Sequence, residues 1–257
     1  FYVNLYLINA SMKYSFFIFF LAISLHTFSQ EDSLQVDAKK VSFGISYSPN
    51  YSYRVQVDDG TTMFNDVLYL GKDSEVGQFG QTINFDVRVL LAKKHKLNIG
   101  LQISNERYKA ENDNLIVGNV IDPRRGFVYP TTEITGLTYR YEFHYGGLNI
   151  GLKSSYGNNA VRFNHAIGIV PKFLISGSAL GELSVENQST STVDFRKTKD
   201  FNRFNLEGYI SVGAEWELKE NRIVEFAPIF RYNFRKTSDD PFTSYLWNIG
   251  VRFGFFI

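Results

Sequence analysis

Residues 204–235 read FNLEGYISVGAEWELKENRIVEFAPIFRYNFR, and this stretch decides the fold. Phe204, Leu206, Ile210, Val212, Ala214, Trp216 and Leu218 recur with a period of two, and Asn205, Glu207, Ser211, Glu215 and Glu217 fill the alternate phase. After Lys219-Glu220-Asn221 the pattern resumes, with Val224, Phe226, Pro228, Phe230, Tyr232 and Phe234 against Glu225, Arg231, Asn233 and Arg235. Successive side chains of a strand point to opposite faces, so each half presents one apolar and one polar face. Two such runs joined by a short polar break make a hairpin.

The same alternation runs through the rest of the chain. Ahead of the quoted hairpin come five segments. The first is Val41, Phe43, Ile45 and Tyr47, continuing past Pro49 through Tyr51, Tyr53 and Val55. The second is Phe79, Ile83, Phe85, Val87, Val89 and Leu91, and the third Leu97, Ile99, Leu101 and Ile103. The fourth carries Leu137, Tyr139, Tyr141, Phe143 and Tyr145, then changes phase at Gly146-Gly147 to Leu148, Ile150 and Leu152. A Gly-Gly at a phase change predicts a β-bulge there. The fifth is Val161, Phe163, Ile167, Ile169, Phe173 and Ile175. An eighth follows the hairpin: Tyr245, Trp247, Ile249, Val251, Phe253 and Phe255. Short links at 93–96, 157–159 and 219–221 alternate with longer ones at 58–78, 110–132, 177–202 and 236–242. Short and long links taking turns put all the short ones at one end, as in a transmembrane barrel.

Composition narrows the class. The 257 residues hold 27 Lys+Arg against 26 Asp+Glu, a balance that argues against a nucleic-acid binder, which usually shows a concentrated basic face. The absence of cysteine removes disulfides, thiolate metal sites, a Cys nucleophile and a lipid-modified N-terminal Cys. With 24 Phe, 16 Tyr and 2 Trp, the chain is ring-rich, yet its mean hydropathy of −0.17 is too low for a helical membrane protein.

Residues 14–25 (YSFFIFFLAISL) form the one continuous apolar run, behind Lys13 and ahead of His26-Thr27-Phe28-Ser29-Gln30. That is the layout of an export signal, and it is short of the roughly 20 residues a spanning helix needs. The reading is a start at Met12, with 1–11 an upstream artefact, 12–30 a signal peptide, 31–40 a short periplasmic segment and 41–257 the barrel. A retained N-terminal anchor is the alternative.

Alternation by itself fits a soluble sandwich or a lipocalin-type barrel equally well. Three features favour a membrane. These segments exceed the soluble average of about 5–6 residues, the apolar phase is aromatic near segment ends, and the chain is exported. In lipid every backbone polar group must be paired, so a closed barrel is the permitted β solution. The expected fold is therefore all-β: an eight-stranded antiparallel transmembrane β-barrel, an up-and-down meander with short periplasmic turns and long external loops. The polar phase then fills the lumen: Arg54, Asp86, Arg88, Glu106, Arg140, Glu142, Lys153, Arg162, Lys172, Glu207, Glu215, Glu217, Glu225, Arg231 and Arg252. Eight strands leave an interior that side chains can fill, and mixed charges there must pair. A plugged lumen follows, with a proton or ion path along these groups as the alternative.

This arrangement resembles the small eight-stranded outer-membrane barrels of the OmpA/OmpX type. More narrowly it resembles the PorT-like outer membrane protein beta-barrel domain family. The likeness is carried by Thr27-Phe28-Ser29-Gln30, by Leu148-Asn149-Ile150-Gly151-Leu152-Lys153 with Gly168-Ile169-Val170-Pro171-Lys172-Phe173, and by the final segment 248–257. It implies an outer membrane of Gram-negative type, contact with outer-membrane lipid, and recognition of the last strand by the barrel-insertion machinery during biogenesis. Phe256 before a final Ile257 departs from a terminal aromatic. The OmpA likeness covers the barrel alone. A PorT-like chain would serve type IX protein secretion, which stands as an alternative to a structural or interaction role.

Candidates for chemistry are few. His95 falls in a basic turn and reads as solvated, His144 falls on the polar phase and reads as lumenal, and His165 falls on the apolar phase. A hairpin turning about Gly157-Asn158 sets His144 opposite the region of Pro171 and His165 opposite that of Ile150, which leaves no pair. No Ser–His or Asp–His constellation is evident, so no catalytic residue, cofactor or metal ligand is assigned and no enzyme is expected. A lipid-modifying enzyme and a narrow solute channel are the remaining alternatives. Asp58-Asp59 and Asp239-Asp240 read as solvated acidic tips, and 184–198 (SVENQSTSTVDFRKT) as a mobile polar loop. Residues 110–132 hold Leu115-Ile116-Val117, Val120-Ile121 and Phe127-Val128-Tyr129, too apolar for a solvated tip. That loop either extends the barrel as a hairpin or docks envelope partners.

Overall fold

The computed structural model describes residues 41–57, 75–92, 94–113, 119–121, 128–130, 134–157, 160–185, 191–218, 222–237 and 243–257. The expected leader and the two Asp-Asp tips lie outside these residues. Eight long antiparallel strands form the wall: β1 (Val41–Val57), β2 (Glu75–Ala92), β3 (His95–Asp113), β6 (Ile134–Tyr156), β7 (Val161–Val185), β9 (Phe204–Glu217), β10 (Ile223–Asn233) and β11 (Thr243–Phe256). Three short strands join them: β4 (Asn119–Ile121), β5 (Val128–Pro130) and β8 (Ser191–Lys197). Each long strand pairs with the next in the chain, and β11 pairs with β1, so the sheet closes on itself as a meander. Wall strands run from 11 to 25 residues, long enough to cross a bilayer obliquely with ends to spare.

Side-chain alternation sorts the wall into two faces. Phe43, Ile45 and Tyr47 of β1, Leu101 and Ile103 of β3, and Phe226 and Phe230 of β10 stand exposed outside. Ser46, Ser48 and Asn50, Gln102 and Ser104, and Glu225 and Arg231 are buried inside. The interior is therefore the polar side. This inverts the usual burial rule and leaves the apolar side facing outward.

Glycines let the interior fill. A Cβ on Gly44 would stand 2.2 Å from the Phe256 ring, and one on Gly254 2.7 Å from it, so both residues make room for that ring. Gly151 and Gly168 do the same for the Tyr209 hydroxyl, at 2.1 and 2.6 Å. Gly157 turns the β6–β7 link with φ of 114°, a conformation open to glycine.

Two expectations are corrected here, and one of two alternatives is selected. The bulge does not lie at Gly146-Gly147: β6 keeps one phase, and the register shift falls between His144↔Ser176 and Tyr145↔Leu174, leaving Ile175 of β7 unpaired. What changes at the glycines is the chemistry of the inward phase, polar at Asn149 and Lys153 but aromatic at Phe143 and Tyr145, both buried. The polar loop 184–198 is largely ordered, because Ser191–Lys197 pairs with Ser178–Leu183 as β8, beyond Phe173 where β9 leaves β7. Within 110–132, Asn119–Ile121 pairs with Val128–Pro130, a hairpin as one of its two readings had it.

Candidate functional site

Five cations and five anions line the interior, each no more than 3% exposed: Arg88, Lys153, Lys172, Arg231 and Arg252 against Asp86, Glu106, Glu207, Glu215 and Glu225. They fall into three groups. At the short-turn end, Arg88 is ion-paired with Glu225, and Lys153 Nζ lies 2.8 Å from both Glu215 and Glu225. Arg162 Nε reaches Glu215 at 3.1 Å, and the Arg88 guanidinium lies 3.2 Å above the Phe256 ring. In the middle, Arg252 Nη2 meets Asp86 Oδ2 at 2.5 Å, and Asn149 donates to Asp86 Oδ1 at 2.9 Å. Nearer the long links, Lys172 bridges Glu106 and Glu207, the latter at 2.7 Å. Gln102 donates to Glu207 at 3.3 Å, and Asn233 to Glu106 at 3.2 Å.

Above this last group the interior is apolar. Tyr108, Phe143, Tyr145, Leu174, Ala179, Phe201 and Leu246 pack as one buried cluster. Phe201 meets Phe143 edge-on at 5.0 Å, placed there by the 3-10 turn Thr198–Asp200 that follows β8. Arg54 is ion-paired with Glu75 and lies 4.8 Å above Tyr108. Paired charges and a lid of rings occupy the space, and an ion entering it would have to displace one or the other.

Of the residues expected in the lumen, Arg140 and Glu142 are not there. They face outward with His144, on rows where the outer wall has already turned polar. Arg107 Nε donates to Glu142 Oε1 at 3.0 Å, His144 Nε2 lies 3.1 Å from the same oxygen, and Arg140 Nη2 lies 3.1 Å from Glu182. Glu217 sits at the short-turn rim, its side chain 41% exposed against Arg162. His95 is buried rather than solvated, its Nδ1 2.8 Å from Ser154 Oγ. His165 faces outward as expected, its ring stacked on Tyr156 at 5.5 Å.

The register differs from the one expected. Tyr156 pairs with Phe163, so His144 stands opposite Ser176, not Pro171, and His165 opposite Ser154, not Ile150. The β6–β7 turn is centred about two residues later than Gly157-Asn158, which moves every partner by four or five. Two histidine–serine neighbourhoods, one at each edge of the apolar band, were therefore hidden from the sequence. Among the described residues, no three His, Cys, Asp or Glu side chains gather as a metal site.

These pairings define the class: a closed eight-stranded antiparallel β-barrel with an apolar outside and a charge-paired, ring-capped inside. Solved structures similar to it include Neisserial surface protein A (8% identical, 84% of this chain and 98% of that one, TM-score 0.40). Outer membrane protein OprG from Pseudomonas aeruginosa is similar too (10%, 87% and 99%, 0.41), as is outer membrane protease OmpT from Escherichia coli (12%, 88% and 98%, 0.42). No family model matches the chain, so nothing supports the narrower PorT-like resemblance, and no curated protein matches it either.

Proposed function

We propose that this protein is an integral outer-membrane barrel with a plugged interior, acting as a structural or interaction component rather than through chemistry in its lumen. The observation that carries the reading is the two-sided wall, apolar toward the outside and neutral by pairing within. On β11 the outward apolar phase runs from Tyr245 to Phe255. At about 3.3 Å per residue this is roughly 33 Å of strand, and a tilt of about 40° reduces it to about 25 Å, the height of a lipid-facing band. Closure leaves no unpaired edge in that band, which is the condition for β structure in lipid. Interaction would then fall to the long links, 110–132 among them, or to partner subunits in the envelope.

A heat-modifiability gel tests the reading. Unboiled protein extracted from the outer-membrane fraction should migrate differently from boiled protein, and planar bilayers containing it should stay silent. Identical mobility before and after boiling would end the membrane-barrel reading. Steady conductance would end the plugged one.

A further inference from the structure

We propose that Glu142, His144 and Ser176 form an acyl-ester hydrolase site on the outer wall of the barrel, acting on a phosphorylated lipid. The proposal rests on the membrane placement above and goes beyond it, because that reading assigns no task to the outward polar rows.

The three residues stand in the order acid, base, nucleophile. Glu142 and His144 are two apart on β6 and so share a face, with Glu142 Oε1 3.1 Å from His144 Nε2. Asn105 Nδ2 donates to Glu142 at 2.7 Å and lies 3.2 Å from His144 Nε2, holding the acid against the ring. Ser176 is directly opposite His144 on β7. Cβ atoms of such a cross-strand pair lie about 5 Å apart, which a rotation of the ring closes to a hydrogen bond. The bulge is what puts a serine there. With Tyr145 fixed on Leu174, an unbulged β7 would present Ile175 to His144, and the extra residue presents Ser176 instead.

Position and access match the chemistry. The His144 side chain is 43% exposed and Ser176 is also open. Directly below is the last apolar row, Ile103 opposite Gly146. Ile175 lies over Gly146, its Cδ1 3.3 Å from where a Cβ would stand, and together with Ile103 it gives an exposed apolar surface on which an acyl chain can lie. One row above His144 is Arg107 and two rows above is Arg140, both exposed, at the height of a headgroup phosphate.

In the reaction, Ser176 Oγ attacks the ester carbonyl carbon while His144 takes the hydroxyl proton and Glu142 stabilises the imidazolium. The carbonyl carbon–alkoxy bond then breaks, His144 returns the proton to the departing lipid alcohol, and the acyl group stays on Ser176. Water, activated by the same histidine, hydrolyses that ester, releasing a fatty acid and restoring the serine.

The test uses the full-length protein in mild detergent with a fluorophosphonate probe, followed by peptide mapping. The adduct should map to Ser176, vanish in Ser176→Ala, and form at least about 100-fold more slowly in His144→Gln, the usual loss of a general base. Reconstituted with phosphatidylglycerol vesicles, the protein should release fatty acid, and Ser176→Ala should not. Each sample is also run on the heat-shift gel, which reads the barrel separately. A heat-shifting protein without a Ser176 adduct overturns the site, as does fatty-acid release undiminished in Ser176→Ala. A wild-type protein that shows no heat shift overturns the membrane reading and the site with it.

Discussion

Replacing Lys172 by Met is the sharpest probe of the interior. The lysine is fully buried and its ammonium bridges Glu106 and Glu207, 4.4 Å from the Tyr145 ring centre. Methionine keeps most of the volume, so the change removes charge more than packing. Two carboxylates then remain with weaker partners: Asn233 at 3.2 Å on Glu106, and Gln102 at 3.3 Å and Arg231 at 3.5 Å on Glu207. Removing one member of a buried pair costs about 3–5 kcal/mol, because the other stays charged in a medium that cannot solvate it. With a urea slope near 3 kcal/mol/M, the upper end for small proteins, the unfolding midpoint should fall by about 1–1.7 M. The assay is urea unfolding of reconstituted barrel, read by loss of the fast-migrating gel form and by tryptophan fluorescence. The combined variant Lys172→Met, Glu106→Gln should recover most of the loss, because one charge of each sign is removed and Glu207 keeps Arg231 as its partner. A midpoint within about 0.2 M of wild type for Lys172→Met alone would mean that water solvates those carboxylates, and the plugged interior would fall with that result.

Three further outcomes follow from the wall. Leu101→Arg, at an outward position 63% exposed, should lower stability in lipid vesicles by about 2–4 kcal/mol while leaving a water-soluble barrel indifferent; equal folding yields with and without lipid would refute the lipid-facing band. Gly44→Val should destabilise the barrel by about 1–3 kcal/mol through overpacking against Phe256, and Phe256→Ala should partly rescue it; the check is the melting temperature of the gel-shift form across the double-mutant cycle. Phe201→Ala should cost about 3–5 kcal/mol by opening a cavity in the ring cluster, yet leave planar bilayers silent because the charge groups beneath remain; conductance in that variant alone would make the rings, not the ion pairs, the seal.

Most of the architecture was legible from a period of two. The eight segments, their order and the ten buried charges of the interior follow from alternation, since a residue's face depends only on its parity along the strand. The upper half of β6 was not legible. There the wall rises past the apolar outer band, its inward phase turns aromatic at Phe143 and Tyr145, and its outward phase turns polar at Glu142 and His144. Parity separates two faces without saying which is inside, so a reversal of chemistry reads as a reversal of geometry. The partner of His144 was lost for a different reason. Register depends on where a turn centres and on bulges, and neither the β6–β7 turn nor the extra Ile175 has a signature beyond permissive glycines. His95 looked solvated because it sits among lysines, whereas the ladder places it beside Ser154.

The seam between β1 and β11 bears on how the molecule is made. Phe43 and Ile257 exchange two backbone hydrogen bonds, and Arg252 reaches Ser46 across 206 residues of chain. Closing a loop of that length costs about 5 kcal/mol in chain entropy, recovered only when the whole ladder forms. Until the final strand arrives, every partial sheet keeps two open edges and an apolar face, a shape that invites pairing with any neighbouring chain. All eight wall strands must therefore have been made before the barrel can close. Throughout that interval its backbone edges stand unpaired.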